Sequence, residues 1–495
     1  MMGYILVIDQ GTTNSRAIIY NEVGEQVGSG KRELPQIFPK PGWVEQDPDE
    51  IWYTTQEATL DAIKVSQIDP KEILGVGITN QRETTILWDR ITGKPLYNAI
   101  VWQCRRSADI CGELKEKGFE PVIRKKTGLL CDAYFSSTKI TWLLRNVPQI
   151  KDAIDNNRVC FGTVDSWILW NLTGGKIHAT DITNASRTML FNINTSLWDE
   201  ELLEIFSIPK GILPEVVDSS GIVGYTESFP EKNIPIAGIV GDQQSALIGQ
   251  CCFSSNTLKV TYGTGCFLLD PVDNFLLSDK GMLSTVAWSI DRKTKYAIEG
   301  SVFTGGAVIQ WLRDNLGVIP DAASSEAFAR AVDDTGGIYF VPALSGLGAP
   351  YWDMYARGII IGITRATRRE HIVRAALEGI AYQIKDLVIA MEETTREKIT
   401  ELRVDGGAAN NNFLLQFQSD LLGIPVVRPK NIETTSLGAF ILTSIGIGNF
   451  KDLEEAKIVW KVDRIFNPEV DREKMDSFYN NWKEAVNRSL KWLKS

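Results

Sequence analysis

Apolar residues come along this chain in short runs, and the runs end on glycine-bearing polar turns. Tyr4–Ile8 is nearly continuous and closes on Asp9. Gly11, Thr12 and Thr13 follow, and Arg16–Tyr20 is a second run. That order predicts strand, tight turn, strand. After a loop holding Pro35, Pro39 and Pro41, Asp47 stands as an N-cap, with Pro48 in the first helical position and Asp49 and Glu50 in the first turn. A helix to about Lys64 is expected. Gly75–Thr79 reads as another strand, opening into the polar loop Asn80–Glu83. This β-then-α rhythm predicts an α/β layered fold.

The rhythm restarts later in the chain. Ile236–Val240 ends on Gly241-Asp242, with a helix able to start there. Thr257–Tyr262 ends on Gly263-Thr264-Gly265, echoing the turn at Gly11-Thr12. A helix is expected over Glu370–Met391 with His371 in its first turn, and a strand at Leu402–Val404 ending on Asp405-Gly406-Gly407. Similar turns on both sides hint at a duplicated architecture. The length of 495 residues exceeds what one core usually serves. The expectation is two domains, 1–250 and 251–495.

Composition narrows the function classes. A net charge of −10 argues against general binding to nucleic acid or acidic membranes. Seven cysteines without a Cys-x-x-Cys spacing suit reduced thiols in the cytoplasm. Met1 to Ile8 carries no basic region, so no signal peptide is expected. No apolar run reaches ~18 residues, so neither is a transmembrane helix. Only His178 and His371 are present, which removes multi-histidine metal sites and leaves acid–base work to Asp or Glu.

Three strand-end turns carry candidate chemistry. In Ile8–Arg16, glycine lets backbone N–H groups approach a ligand, hydroxyls, amides and one arginine suit phosphate oxygens, and Asp9 suits Mg²⁺ through water. A plain hairpin turn explains the segment equally well. Asp242 lies where α/β folds bind ligands, ahead of a helix N-terminus, although an N-cap aspartate is the commoner explanation. In Arg403–Asn412 the double glycine would let a flat ring lie against bare backbone, or the loop is a capped Asp-Gly-Gly turn. Together the three suggest a nucleotide held between two domains. Gly28-Ser29-Gly30-Lys31-Arg32 fails as a phosphate loop, because Glu25 and Arg32 stand where a glycine and a hydroxyl are required; it reads as a surface turn. Arg82-Glu83 could grip vicinal hydroxyls beside Trp102, or be a surface ion pair beside a core indole. Cys104-Arg105-Arg106 reads as structural.

These motifs, with Asn98–Arg106, Tyr134–Asn146, Asp181–Asn192, Gly346–Trp352 and Gly358–Glu378, resemble the FGGY carbohydrate kinases over nearly the whole length. The resemblance implies two actin-like (ribonuclease H-like) domains around a central cleft, ATP and Mg²⁺ as cofactors, and phosphorylation of glycerol. By position it implies Asp242 as catalytic base, and Arg82, Glu83, Trp102, Tyr134, Asp242, Gln243 and Phe267 around glycerol. Thr12, Thr13, Asn14 and Arg16 would meet the phosphates, Thr264, Gly306, Gln310, Gly407 and Asn411 the nucleotide, and Asp9 and Asp242 the metal. A homodimer or homotetramer is likewise implied. Asn14 departs from the family's usual hydroxyl, and Tyr225–Pro235 lacks the histidine through which some relatives are activated. Glu231–Ile234 does not match the effector loop of other relatives, and Asn467–Trp482 is only loosely similar to a partner-docking segment. Two rivals stand: a family member acting on another polyol, pentose or sugar acid, and a non-catalytic actin-like nucleotide switch. Asn80–Thr84 with Trp102–Arg106 favours glycerol over both.

Overall fold

The computed structural model describes residues 3–493. Met1 and Met2, which open the N-terminal apolar stretch, and Lys494 and Ser495, which end the second expected domain, lie outside the described residues. The first half begins with β1 (Tyr4–Gln10), β2 (Asn14–Asn21) and β3 (Gln26–Glu33), an antiparallel meander. β4 (Ile73–Asn80) adds parallel to β1, β5 (Ser220–Tyr225) follows, and β6 (Pro235–Gly241) adds parallel to β4. The second half repeats the plan. β7 (Thr257–Tyr262) and β8 (Cys266–Val272) form a hairpin, and β9 (Leu283–Ile290) and β10 (Lys293–Val302) extend it through β8. β11 (Glu401–Asp405) and β12 (Val426–Pro429) add in parallel beyond β7, and β13 (Val462–Phe466) closes that edge. The sheet runs β13-β12-β11-β7-β8-β10-β9-β5-β6-β4-β1-β2-β3, and the pairing Ser220↔Ile290 joins its halves.

The central strands read as unbroken apolar runs because both their faces are covered. On β1, Leu6 and Ile8 join one core with Ile78 and Trp167, while Ile5 and Val7 join another with Leu437 and Phe440 on the opposite face. Helix α1 (Pro48–Ser66) starts as its sequence predicts, Asp47 accepting from the Asp49 N–H at 2.9 Å, and ends two residues past the expected Lys64. Further helices are α2 (Ser136–Asn146), α3 (Asp242–Gly249), α4 (Ala307–Asp314), α5 (Arg369–Thr395), α6 (Asn412–Leu422) and α7 (Thr434–Gly446). α7 follows β12 of the second half in sequence yet lies on the first half's sheet. Its Thr443 fills the space that side chains at Gly77 of β4 and Gly238 of β6 would take.

One expectation fails. Gly28–Arg32 is no surface turn but the middle of β3. Its glycines lie on the face covered by α1, and a Cβ at Gly30 would collide with the Ala58 carbonyl. The glycines serve a close strand–helix contact instead of a loop.

Candidate functional site

The carboxyl ends of β1, β4, β6, β7 and β11 carry all three turns singled out above. The first is a tight one: the Gly11 N–H donates to the Asn14 carbonyl at 2.9 Å. It is held from below by amides. Gln46 Nε2 donates to the Thr12 carbonyl at 2.6 Å, and Gln81 Nε2 donates to Gln10 Oε1 at 3.1 Å and to Gln46 Oε1 at 2.9 Å. Asn14 Nδ2 donates to Thr13 Oγ1 at 3.1 Å. Trp102 is neither a core indole nor free. Its Nε1–H donates to Thr12 Oγ1 at 2.9 Å, and its ring meets Tyr134 edge-on at 5.6 Å.

Arg82 and Glu83 are buried, so the surface ion-pair alternative falls away. Nor do they chiefly pair with each other, standing 4.0 Å apart. Arg82 gives Nη1 and Nη2 to Glu299 at 2.6 and 3.3 Å, and its Nε lies 3.2 Å from Asp242 Oδ1. Glu83 accepts from Arg187 Nε at 2.6 Å, and Arg187 Nη2 reaches Glu299 at 2.9 Å. Each buried charge thus has a partner, without which its desolvation would cost several kcal/mol. Burial alone would raise the Glu299 carboxyl, but the Arg187 and Arg82 charges outweigh it and hold it at about 2. At Glu83 burial wins over both arginines, and its carboxyl is raised. Glu83 also has a left-handed backbone, φ 61°, a strained state for glutamate. Its carbonyl is pinned by Ser136 Oγ and Lys139 Nζ of α2, each at 3.1 Å.

Asp242 is the first residue of α3 rather than its N-cap, which is Gly241. Its side chain is 32% exposed, more than any other carboxylate of this cluster, so it alone faces the cleft. Oδ1 also accepts from the Gln243 N–H at 2.7 Å. Gln243 is buried and accepts from Lys259 Nζ at 2.7 Å. Asp9 lies 3.7 Å from Arg16, which pairs at 2.6 Å with Glu433 at the start of α7. Burial pushes the Asp9 carboxyl up to about 6; Arg16 opposes this, while the charges of Glu433 and Asp242 add to it.

The second half places its residues in two loops. The Gly263 N–H donates to the Gly265 carbonyl at 2.9 Å, and the exposed Thr264 lends its carbonyl to the Gly305 N–H at 2.8 Å. Gly306 caps α4 and donates to the Gly263 carbonyl at 2.8 Å, with Gln310 exposed on that helix. Gly407 opens the turn after β11. Asn411 N-caps α6, its Oδ1 accepting from the Leu414 N–H at 3.0 Å while Nδ2 donates to Ser325 at 3.2 Å. The capping alternative therefore describes what Asn411 does. Phe267 is half-buried on β8, just past the Gly-Thr turn. Cys104-Arg105-Arg106 is structural as read: Arg106 pairs with Glu45 at 2.6 Å and Arg105 with Asp132 at 2.5 Å. All seven cysteines are buried and unbonded.

Arg187, Lys259, Glu299 and Glu433 escaped the sequence reading. A signal existed for two of them. Lys259 sits between Leu258 and Val260, and Glu299 follows Ala297-Ile298. A charge inside an apolar strand must find a buried partner.

Residues 4–249 match the N-terminal domain of the FGGY family of carbohydrate kinases, and residues 258–447 match its C-terminal domain. The chain is 56% identical to glycerol kinase 2 of Thermotoga maritima, with all of both chains covered. It is 53% identical to the glycerol kinase of Caldanaerobacter subterraneus, with 99% of each covered. Among solved structures, Plasmodium falciparum glycerol kinase with ADP superposes with a TM-score of 0.93 at 39% identity, covering 100% of this chain and 99% of that one. Ligand-bound xylulose kinase of Lactobacillus acidophilus gives a TM-score of 0.88 at 25% identity, with 98% of each covered.

Proposed function

Because the chain belongs to the FGGY family of carbohydrate kinases, we propose that its cleft transfers the γ-phosphoryl group of ATP to a terminal hydroxyl of glycerol. The observation that carries this reading is the half-buried carboxylate of Asp242, more exposed than Glu83 and Glu299 of the buried cluster, held 3.2 Å from the buried Arg82 guanidinium. It sits beside a similarity to glycerol kinases that spans the full chain. Phosphoryl transfer has a loose transition state, so positioning and charge neutralisation carry most of the catalysis. Arg82, Glu83, Tyr134 and Gln243 bind the triol's hydroxyls, and Trp102 and Phe267 cover its carbons. Asp242 takes the proton of the attacking hydroxyl. The turn at Thr12, Thr13 and Asn14, with Arg16, holds the ATP phosphates. Thr264, Gly306, Gln310, Gly407 and Asn411 bind the rest of the nucleotide, Asn411 through atoms its cap leaves free.

Asp9 and Asp242 are the residues that would hold Mg²⁺. Among the described residues no cluster of three or more His, Cys, Asp or Glu side chains forms a metal cage. Magnesium needs none, since one or two carboxylates with substrate phosphates and water suffice. The fit rests on Asp9, a buried carboxylate at the strand end whose carboxyl burial raises against the pull of Arg16, with the Glu433 and Asp242 charges adding to it; a cation there offsets that crowding of negative charge. When bound, Mg²⁺ supplies charge neutralisation at the phosphates.

The chain divides into 1–250 and 251–495, a reading supported by family matches that end at 249 and resume at 258. A cytoplasmic enzyme suits seven unbonded thiols, and no helix among the described residues is long and apolar enough to cross a membrane. A homodimer or homotetramer carries over from the family, and light scattering measures it. The functional test is ADP release across glycerol, xylulose, ribulose and gluconate. Glycerol is expected to dominate kcat/KM; a pentose turned over well above glycerol, or hydrolysis indifferent to every polyol, overturns the reading.

A further inference from the structure

Lys259 of β7, Leu269 of β8 and Glu299 of β10 are register partners across three adjacent strands. Residues so paired stand in a row on one face of a sheet. Leu269 packs with Leu247 and Ile248 of α3, so the row lies beneath the helix that begins with Asp242. Both charged members are fully buried, and each reaches one side chain of the proposed triol site. Lys259 Nζ donates to Gln243 Oε1 at 2.7 Å. A lysine ammonium can only donate, so the Gln243 carbonyl is turned inward and its NH₂ outward. Glu299 takes both Nη groups of Arg82, at 2.6 and 3.3 Å. Nη1 also donates to Gln244 Oε1 at 3.1 Å, and the atom of Arg82 that reaches Asp242 is Nε, at 3.2 Å. Freed of Glu299, the guanidinium fork could turn and clasp Asp242 with two parallel bonds.

We propose that Lys259 and Glu299 are positioning residues of the second half that set the donor face of Gln243 and the fork of Arg82 in the first half's polyol site. This rests on the glycerol-kinase reading. The triol site is then assembled across both halves, and hydroxyl recognition depends on two residues that never touch the substrate.

The test is steady-state kinetics on Lys259→Met and Glu299→Gln, with ADP affinity by calorimetry and melting temperature alongside. Lys259→Met is expected to raise KM for glycerol about tenfold while kcat stays within a few-fold, the signature of lost ground-state binding. Glu299→Gln is expected to raise KM for glycerol and also lower kcat about tenfold, because Arg82 then neutralises the base. ADP affinity is expected to stay within about twofold in both, since the side-chain hydrogen bonds of both residues go to the polyol site. Should Lys259→Met not fold, Gln243→Glu decides: it keeps the Lys259 partner but removes the NH₂, and must raise KM for glycerol. Should Glu299→Gln not fold, Glu299→Asp, which keeps the charge but withdraws it, reads the same constants. Folded variants with unchanged KM for glycerol, or with ADP affinity lost in equal measure, overturn the inference. A wild-type enzyme that does not phosphorylate glycerol overturns the functional reading instead.

Discussion

Asp242 and Asp270 are two carboxylates with opposite circumstances. Asp242 faces the cleft beside Arg82. Replacing it with Asn keeps its shape and removes its basicity, so kcat is expected to fall by roughly 10²–10⁴ while ADP binding, measured by calorimetry, persists. Near-normal turnover would remove Asp242 from the base role. Asp270 of β8 is fully buried with neither oxygen hydrogen-bonded. Burial, aided by the Glu397 charge and opposed by Lys295, pushes its carboxyl up to about 7. The folded chain therefore binds this proton more tightly than the unfolded chain, whose carboxylate has its ordinary value. Ionising Asp270 costs stability progressively as pH rises from about 4 to about 7. Asp270→Asn should raise the unfolding free energy at pH 8 by an amount on the order of 2 kcal/mol, and with it the melting temperature, and change both little near pH 4. Equal effects at both pH values would refute the assignment. The sequence disclosed Asp242 because a carboxylate at a strand end before a helix has a recognisable setting. It could not disclose that Arg82 faces Glu299, a partner 217 positions away. Only the fold creates that neighbourhood.

At the scale of elements, the local signals were legible and the contacts between elements were not. β1, β4 and β6 lie where their apolar runs predict, each extending a residue or two beyond, because strand length is fixed by pairing partners. The prediction for Gly28–Arg32 failed because a glycine pair signals a turn in isolation and a close helix contact in context. The same chemistry recurs where α3 crosses α7. A Cβ on Gly438 would collide with the Ser245 carbonyl, and one on Gly249 with the Thr434 carbonyl. Rigid backbone stands on both sides, so no side chain can yield. Gly438→Ala is expected to destabilise the protein by about 2–4 kcal/mol in urea unfolding. It should also lower kcat, because α3 begins with Asp242. An unchanged unfolding midpoint would mean that the crossing relaxes freely.

At the scale of the whole molecule, the halves share one sheet through the pairing Ser220↔Ile290 and face each other across the site. Arg16 pairs with Glu433 at the start of α7, the helix seated on the first half's sheet, and partly exposed pairs of this kind are worth little alone, about 0–1 kcal/mol. Any motion of the halves must keep the buried pairs of Glu299 with Arg82 and Arg187, which also join them. Glycerol with a non-hydrolysable ATP analogue is expected to reduce the radius of gyration in small-angle scattering, as closure excludes water from the site. No change on adding both ligands would argue for a preformed cleft. The duplicated plan was readable from two Gly-Thr turns, but the joining of both halves into one sheet was not, since residues near 220 and 290 carry no motif.

The seat of α7 on Gly77 and Gly238 has a consequence for any attempt to dissect the protein. A fragment ending near residue 250 would contain that groove with nothing to fill it, and its partner fragment would carry an apolar helix with no bed. Cutting the gene at the boundary between the two halves therefore yields no pair of independent proteins. It yields two complementary pieces, each lacking part of its own interior, that recover a native structure only when made together.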